Sequence, residues 1–194
     1  MPITLNGTTG VVTPGATVGS ITGILKATSG VVSQAVAGTD YLTSTSGGAI
    51  TLETAQTASG TSVDFTGIPS WAKRITVMFS DVSLNATDDL LVQIGDSGGI
   101  ETTGYTSGSQ SVLNSTIGYI IRIGGGTRIL NGAMYISNIN SNSWISIHSG
   151  NVGTLNDVYG GGTKTLSSTL DRIRVTSVTG TSTFDAGTIN ISYE

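Results

Sequence analysis

Arg74-Ile75-Thr76-Val77-Met78-Phe79-Ser80 alternates along its length. Successive side chains of a strand point to opposite faces, so Ile75, Val77 and Phe79 share one face and can enter a core together. Beyond the polar Asn85-Ala86-Thr87-Asp88-Asp89 loop comes Leu90-Leu91-Val92-Gln93-Ile94, and the two runs read as neighbouring core strands. Working outward, further strand candidates are 49–53, 62–65, 118–123, 128–136, 143–148, 170–178 and 188–193, giving about nine strands separated by turn residues. Gly67-Ile68-Pro69-Ser70-Trp71 reads as one such turn. Parallel strands need long crossovers, and no amphipathic helix is present in the pattern to supply them. The expected head is therefore an all-β, antiparallel, jelly-roll-like β-sandwich.

Composition agrees with this reading. Of 194 residues 28 are glycine, and Ser and Thr together are twice as numerous, which leaves few good helix formers. Hydrophobic residues make up 37%, too many for a wholly disordered chain. No apolar run approaches the roughly 20 residues of a membrane helix, so membrane insertion is not expected. With no cysteine there is neither a disulfide framework nor a thiolate metal site. The net charge is −4 and the eight basic residues are scattered, which argues against a nucleic-acid partner. Met1 to Leu5 carries neither a basic nor an apolar signal region, so synthesis in the cytoplasm is expected.

Two regions follow from the texture, 1–47 and 48–194. In the first, up to Thr45, Lys26 and Asp40 are the only charged side chains, and glycines interrupt the chain every few residues. Apolar pairs recur at Val11-Val12, Ile24-Leu25, Val31-Val32 and Tyr41-Leu42. This reads as an extended, mostly irregular attachment arm that docks Ile24, Leu25, Val31, Val32, Tyr41 and Leu42 into a partner surface. Ordering such an arm costs ~1–2 kcal/mol per residue, which only apolar burial can offset.

Chemistry-bearing motifs are few. Gly95-Asp96-Ser97-Gly98-Gly99 matches the string around a serine-protease nucleophile, but that mechanism needs a histidine base upstream, and the only histidine, His148, lies downstream. His148 falls in Trp144-Ile145-Ser146-Ile147-His148, where alternation sets Trp144, Ser146 and His148 on one face, and it reads as a satisfied structural imidazole. Asp81, Asp88, Asp89 and Asp96 lack the spacing of a calcium loop and read as solvated loop residues. No catalytic residue, metal site or cofactor is expected. Gly124-Gly125-Gly126 and Gly160-Gly161-Gly162 read as turns between strands rather than phosphate loops. Tyr105 and Tyr159, in Gly-rich surroundings, are the candidates for exposed, receptor-contacting loop tips.

Two stretches carry a resemblance. Gly23 to Leu42, ending in Ala37-Gly38-Thr39-Asp40-Tyr41-Leu42, resembles a segment of tailed-phage fibre and other virion proteins. Val63 to Phe79, with Leu90 to Gly104 and Phe184 to Glu194, resembles a head domain of phage tail-fibre and structural proteins. The resemblance implies a non-enzymatic virion protein, a short homotrimeric tail fibre whose arm binds other virion proteins of the tail or baseplate, and whose head contacts a host-surface glycan or protein. It equally accommodates a capsid decoration, or cement, protein that clamps major capsid protein subunits with the arm. A carbohydrate-binding or carbohydrate-active β-sandwich is a third reading, because fold alone does not fix function.

Overall fold

The computed structural model describes residues 5–6, 10–11, 24–28, 31–37, 39–40, 50–110, 113–153 and 156–194. The chain divides into two compact units, Met1–Gly48 and Ala49–Glu194.

In the first unit β1 (Leu5–Asn6) pairs antiparallel with β2 (Gly10–Val11), and β3 (Leu25–Thr28) with β4 (Val31–Gln34). The residues expected to lie fully extended from Leu25 to Gln34 thus double back, which satisfies their backbone groups locally. Ala35 N–H donates to Ile24 O at 2.7 Å and continues the ladder. Lys26 and Asp40 meet at 2.8 Å, and the Asp40 carboxylate also accepts the Val36 N–H at 2.8 Å. The Lys26 hydrogen bond, with that of the Val36 amide, holds the Asp40 carboxyl below its ordinary value. Asp40 therefore pins the residues that follow β4 onto the hairpin.

The second unit contains β5 (Thr51–Leu52), β6 (Gln56–Thr57), β7 (Ser62–Thr66), β8 (Arg74–Leu84), β9 (Leu90–Asp96), β10 (Gly99–Ile100), β11 (Tyr105–Ser109), β12 (Leu113–Ser115), β13 (Tyr119–Ile121), β14 (Leu130–Asn140), β15 (Ser143–Val152), β16 (Asn156–Thr165), β17 (Leu170–Ser177) and β18 (Phe184–Tyr193). A large sheet runs β12-β11-β16-β15-β14-β8-β18-β5, with β6 also on β18. A smaller one runs β10-β9-β17-β7, with β13 also on β9. Every pairing is antiparallel. Ile75, Val77 and Phe79 of β8 do share the inward face, and they join Val92 and Ile94 of β9 and Ile173 and Val175 of β17 in one buried cluster. Each such side chain contributes roughly 1.5–3 kcal/mol by leaving water.

β8 and β9, read as neighbours, lie in opposite sheets and face one another across this core. The Asn85–Asp89 loop carries the chain across, and the segment between β17 and β18 carries it back, nesting the pair β9·β17 inside the pair β8·β18. A jelly roll shares such nesting, but here β14, β15 and β16 form a meander within the large sheet, so jelly-roll topology is not established.

The glycine triplets part company. Gly124–Gly126 lies in a turn region, whereas Gly160, Gly161 and Gly162 occupy the middle of β16. β16 lies between β11 and β15, and a Cβ on Gly160 would collide with the Gly108 carbonyl oxygen and come within 2.5 Å of His148 Cε1. On Gly162 it would come within 2.5 Å of Ser107 Cβ. Beside these glycines lies β13, one of the edge strands of the smaller sheet. Ser107 and Ser109 accept the N–H groups of Ile120 in β13 and of Arg122 just after it at 3.0 and 3.1 Å, and Ser107 Oγ donates to Gly118 O at 2.9 Å. Serine side chains of one sheet thereby satisfy an otherwise open edge of the other.

Candidate functional site

Four places bring together side chains capable of chemistry. The first is Gly95–Gly99, which forms the β9–β10 hairpin. Asp96 accepts the Gly98 N–H at 2.8 Å and the Ser167 hydroxyl at 2.6 Å, and the Ser167 bond, with that of Gly98, holds its carboxyl below the ordinary value. Its carboxylate closes a loop. Among the described residues no hydrogen bond joins Ser97 to His148, so the serine-protease arrangement is not assembled.

The second place is a buried serine–histidine pair that sequence order concealed. Ser109 Oγ lies 3.2 Å from His148 Nε2, reaching across the side-chain-free Gly160. The pair does not have the form of an activated nucleophile: Ser109 already accepts the Arg122 amide, and both residues are at most 5% exposed. His148 Nδ1 has no partner, so the imidazole is only half satisfied, and burial pushes it down to about 4. Trp144 Nε1 and Ser146 Oγ, on the same inward face of β15, are likewise buried without partners. Ile145 and Ile147 point outward and are 40% and 61% exposed.

The third is a charged knot. Lys164, 5% exposed, pairs with the Glu101 carboxylate and lies 5.3 Å over the ring of Tyr105. Glu101 also accepts the Ser167 N–H at 2.7 Å. Tyr105, expected at an exposed loop tip, begins β11 and is only 2% exposed. Its hydroxyl accepts Ile94 N–H at 2.8 Å and lies 2.9 Å from Glu101 O, and burial pushes its ionisation well up. It is a core residue whose one polar atom is fixed to the backbone of β9. Tyr105→Phe is expected to cost about 2 kcal/mol, because the Ile94 N–H is left buried without an acceptor. A lowered urea midpoint with unchanged slope is the check, and an unchanged midpoint would rule the contact out as a stabiliser.

The aspartates read as solvated loop residues act as staples. Asp88 accepts the Thr179 and Ser182 hydroxyls at 2.6 and 2.8 Å. Asp89 accepts the Ile123 and Gly124 N–H groups at 2.7 and 2.8 Å, and Asp81 bonds Asn131. The glutamates are separately engaged, Glu53 by Tyr193, Glu101 by Lys164 and Glu194 by Arg74. Among the described residues no group of three or more His, Asp or Glu is placed to hold a metal ion.

The fourth place is a cleft of about 220 Å³ on the outward side of the large sheet. Register sets Tyr135 beside Thr76, Thr76 beside Ser192, and Ser192 beside Leu52. Thr76 and Ser192 are short and form a hydroxyl-bearing floor between the taller Tyr135 and Ile50. Arg74 and Glu194, joined as an ion pair and by two 3.0 Å backbone hydrogen bonds, close one end. Tyr193 also lines the cleft and packs on Trp71 with ring centroids 5.5 Å apart.

Of the arm residues, Ile24 and Leu25 are 55% and 52% exposed. Val31 and Val32 lie in β4, and Tyr41 and Leu42 fall outside the described residues. Tyr159 is 57% exposed, on the flat of β16 rather than at a loop tip. No protein family matches the chain, and neither curated proteins nor solved structures provide a relative.

Proposed function

We propose that this chain is a non-enzymatic structural component of a bacteriophage virion, a short tail-fibre-like protein that assembles as a homotrimer. The Met1–Gly48 unit holds it to the particle and the sandwich unit is the part presented to the host. The observation that carries this reading is the character of the first unit. Ile24, Leu25 and Val36 are 55%, 52% and 56% exposed on a segment whose one described ion pair, Lys26–Asp40, is spent on its own hairpin. Apolar side chains held out by a locally satisfied backbone suit burial against another protein. The sandwich supports the outward role with a sheet face on which Tyr135, Ile145, Ile147 and Tyr159 stand free.

The same arm suits a cement protein clamping capsid subunits, and copy number separates the two. Quantitative mass spectrometry of purified particles is expected to give a small multiple of three chains per tail. A count on the order of hundreds would overturn the fibre reading in favour of capsid decoration. Sedimentation equilibrium of the chain tests the trimer independently.

A further inference from the structure

We propose that the cleft between Tyr135 and Ile50 is a saccharide-binding site that takes one neutral pyranose unit. The inference deepens the proposed function and rests on it in that the sandwich is taken as the host-facing unit. Its physical basis is the cleft alone.

Three features select the ligand. Tyr135 is 45% exposed and forms one wall, offering a ring on which the apolar face of a pyranose can lie while the phenolic oxygen remains available for hydrogen bonding. The floor carries the hydroxyls of Thr76 and Ser192, each able to donate one hydrogen bond and accept others, as a ligand bearing several hydroxyls requires. At the end, Arg74 and Glu194 cancel one another's charge, so the cleft favours neither an anion nor a cation. Arg74 nevertheless keeps N–H donors beyond those turned to Glu194, and its side chain is 57% exposed. An apolar wall, a hydroxyl floor and a compensated pair of donor and acceptor match a neutral, polyhydroxylated ring better than a phosphate, a peptide carboxylate or a lipid chain. The floor and the tyrosine wall lie on strands, with β8, β14 and β18 setting their register, while Ile50 just precedes β5, and Tyr193 of the lining packs on Trp71.

The test is amide chemical-shift titration of the full 194-residue chain with D-glucose, D-galactose, D-mannose and N-acetyl-D-glucosamine in turn, with N-acetylneuraminic acid as the anionic comparison. At least one neutral sugar is expected to give saturable shifts confined to the amides around Thr76, Tyr135 and Ser192, with a dissociation constant of roughly 1–10 mM for a single ring. Tyr135→Ala should weaken that binding about tenfold, whereas Tyr159→Ala, on another part of the same face, should leave it unchanged. Both tyrosines are exposed, and an unchanged melting temperature verifies that each variant folds. Thr76→Val, which removes a floor hydroxyl and keeps the β-branch, should also weaken binding. Absence of saturable shifts with every neutral sugar up to about 100 mM overturns the proposal. So does binding that survives Tyr135→Ala unchanged, or shifts at the cleft that follow protein concentration instead of sugar. The copy number on particles is measured separately, so a failure of sugar binding leaves the virion reading standing, and the converse also holds.

Discussion

Gly160→Ala is expected to destabilise the sandwich by about 3 kcal/mol or more, although a single methyl group is added to a strand. Alanine normally gains about 0.4–1 kcal/mol over glycine by restricting the unfolded chain, so the sign is set by the folded state. There the new Cβ would overlap the carbonyl oxygen of Gly108 on β11 and reach 2.5 Å from the His148 ring on β15. The obstacle on the β11 side is backbone. That backbone is held on its other side as well, since Ser107 and Ser109 bind the edge of β13, so relief requires moving two sheets rather than one rotamer. Gly125→Ala is the matched comparison. The nearest atoms to its added Cβ belong to the flexible Arg128 side chain, at 3.4–3.5 Å, and its stability should stay within about 0.5 kcal/mol of the parent. Denaturant midpoints of the two variants decide the matter: if Gly160→Ala is as stable as Gly125→Ala, β11, β16 and β15 do not pack this closely.

The same glycines explain where the sequence could be read and where it could not. β8, β9, β14, β17 and β18 announce themselves because their inward positions are large and apolar, so strand periodicity and burial coincide. β11 and β16 carry Ser107, Ser109, Gly160 and Gly162 at inward positions, and a Cβ on either glycine would run into β11, the Gly160 one into His148 as well. With no apolar alternation, a buried strand looks like a turn. β15 misleads differently: the alternation of Trp144, Ser146 and His148 against Ile145 and Ile147 is visible, but the more polar set faces the core and the isoleucines face outward.

Side-chain partnerships were least legible because they join distant segments. Ser109 meets His148 only after β16 has been laid between them, and Asp88 finds Thr179 and Ser182 only when the two crossings between sheets lie side by side. Tyr105 is hard to place from sequence for a related reason. Flanked by Gly104 and Thr106, it has the local texture of a loop tip, and its burial comes from Tyr119, 5.1 Å away edge to face, and from the Lys164–Glu101 pair. The cleft is likewise a product of register: Thr76, Tyr135 and Ser192 are ordinary outward residues until the pairing of β14, β8 and β18 puts two short side chains beside a tall one.

Loss of stability on mild acidification should be traceable to His148. Its ordinary imidazole value is 6.5, and burial lowers it to about 4 in the folded chain. Between these values the unfolded chain binds a proton that the folded chain refuses, so stability rises with pH in this interval and falls as pH is lowered through it. The contribution is fully present above about 6.5 and fully lost below about 4, and the difference amounts to about 3 kcal/mol. Carboxylates act in a lower window. At Asp88 burial raises the carboxyl but is outweighed by the Thr179 and Ser182 hydrogen bonds, and at Glu101 burial is outweighed by the Lys164 bond. Both are held below their ordinary values, so the stability they supply goes only as the pH passes down through the carboxylate range and below it. His148→Gln separates the two effects, because it keeps a polar group facing Ser109 Oγ and removes the titration. Denaturant unfolding of parent and variant from pH 7 to pH 4 should show the parent losing about 3 kcal/mol more than the variant, most of it before the carboxylates begin to titrate. Parallel curves would mean that the imidazole finds a proton acceptor in the folded core, with a water molecule at Nδ1 the first to look for.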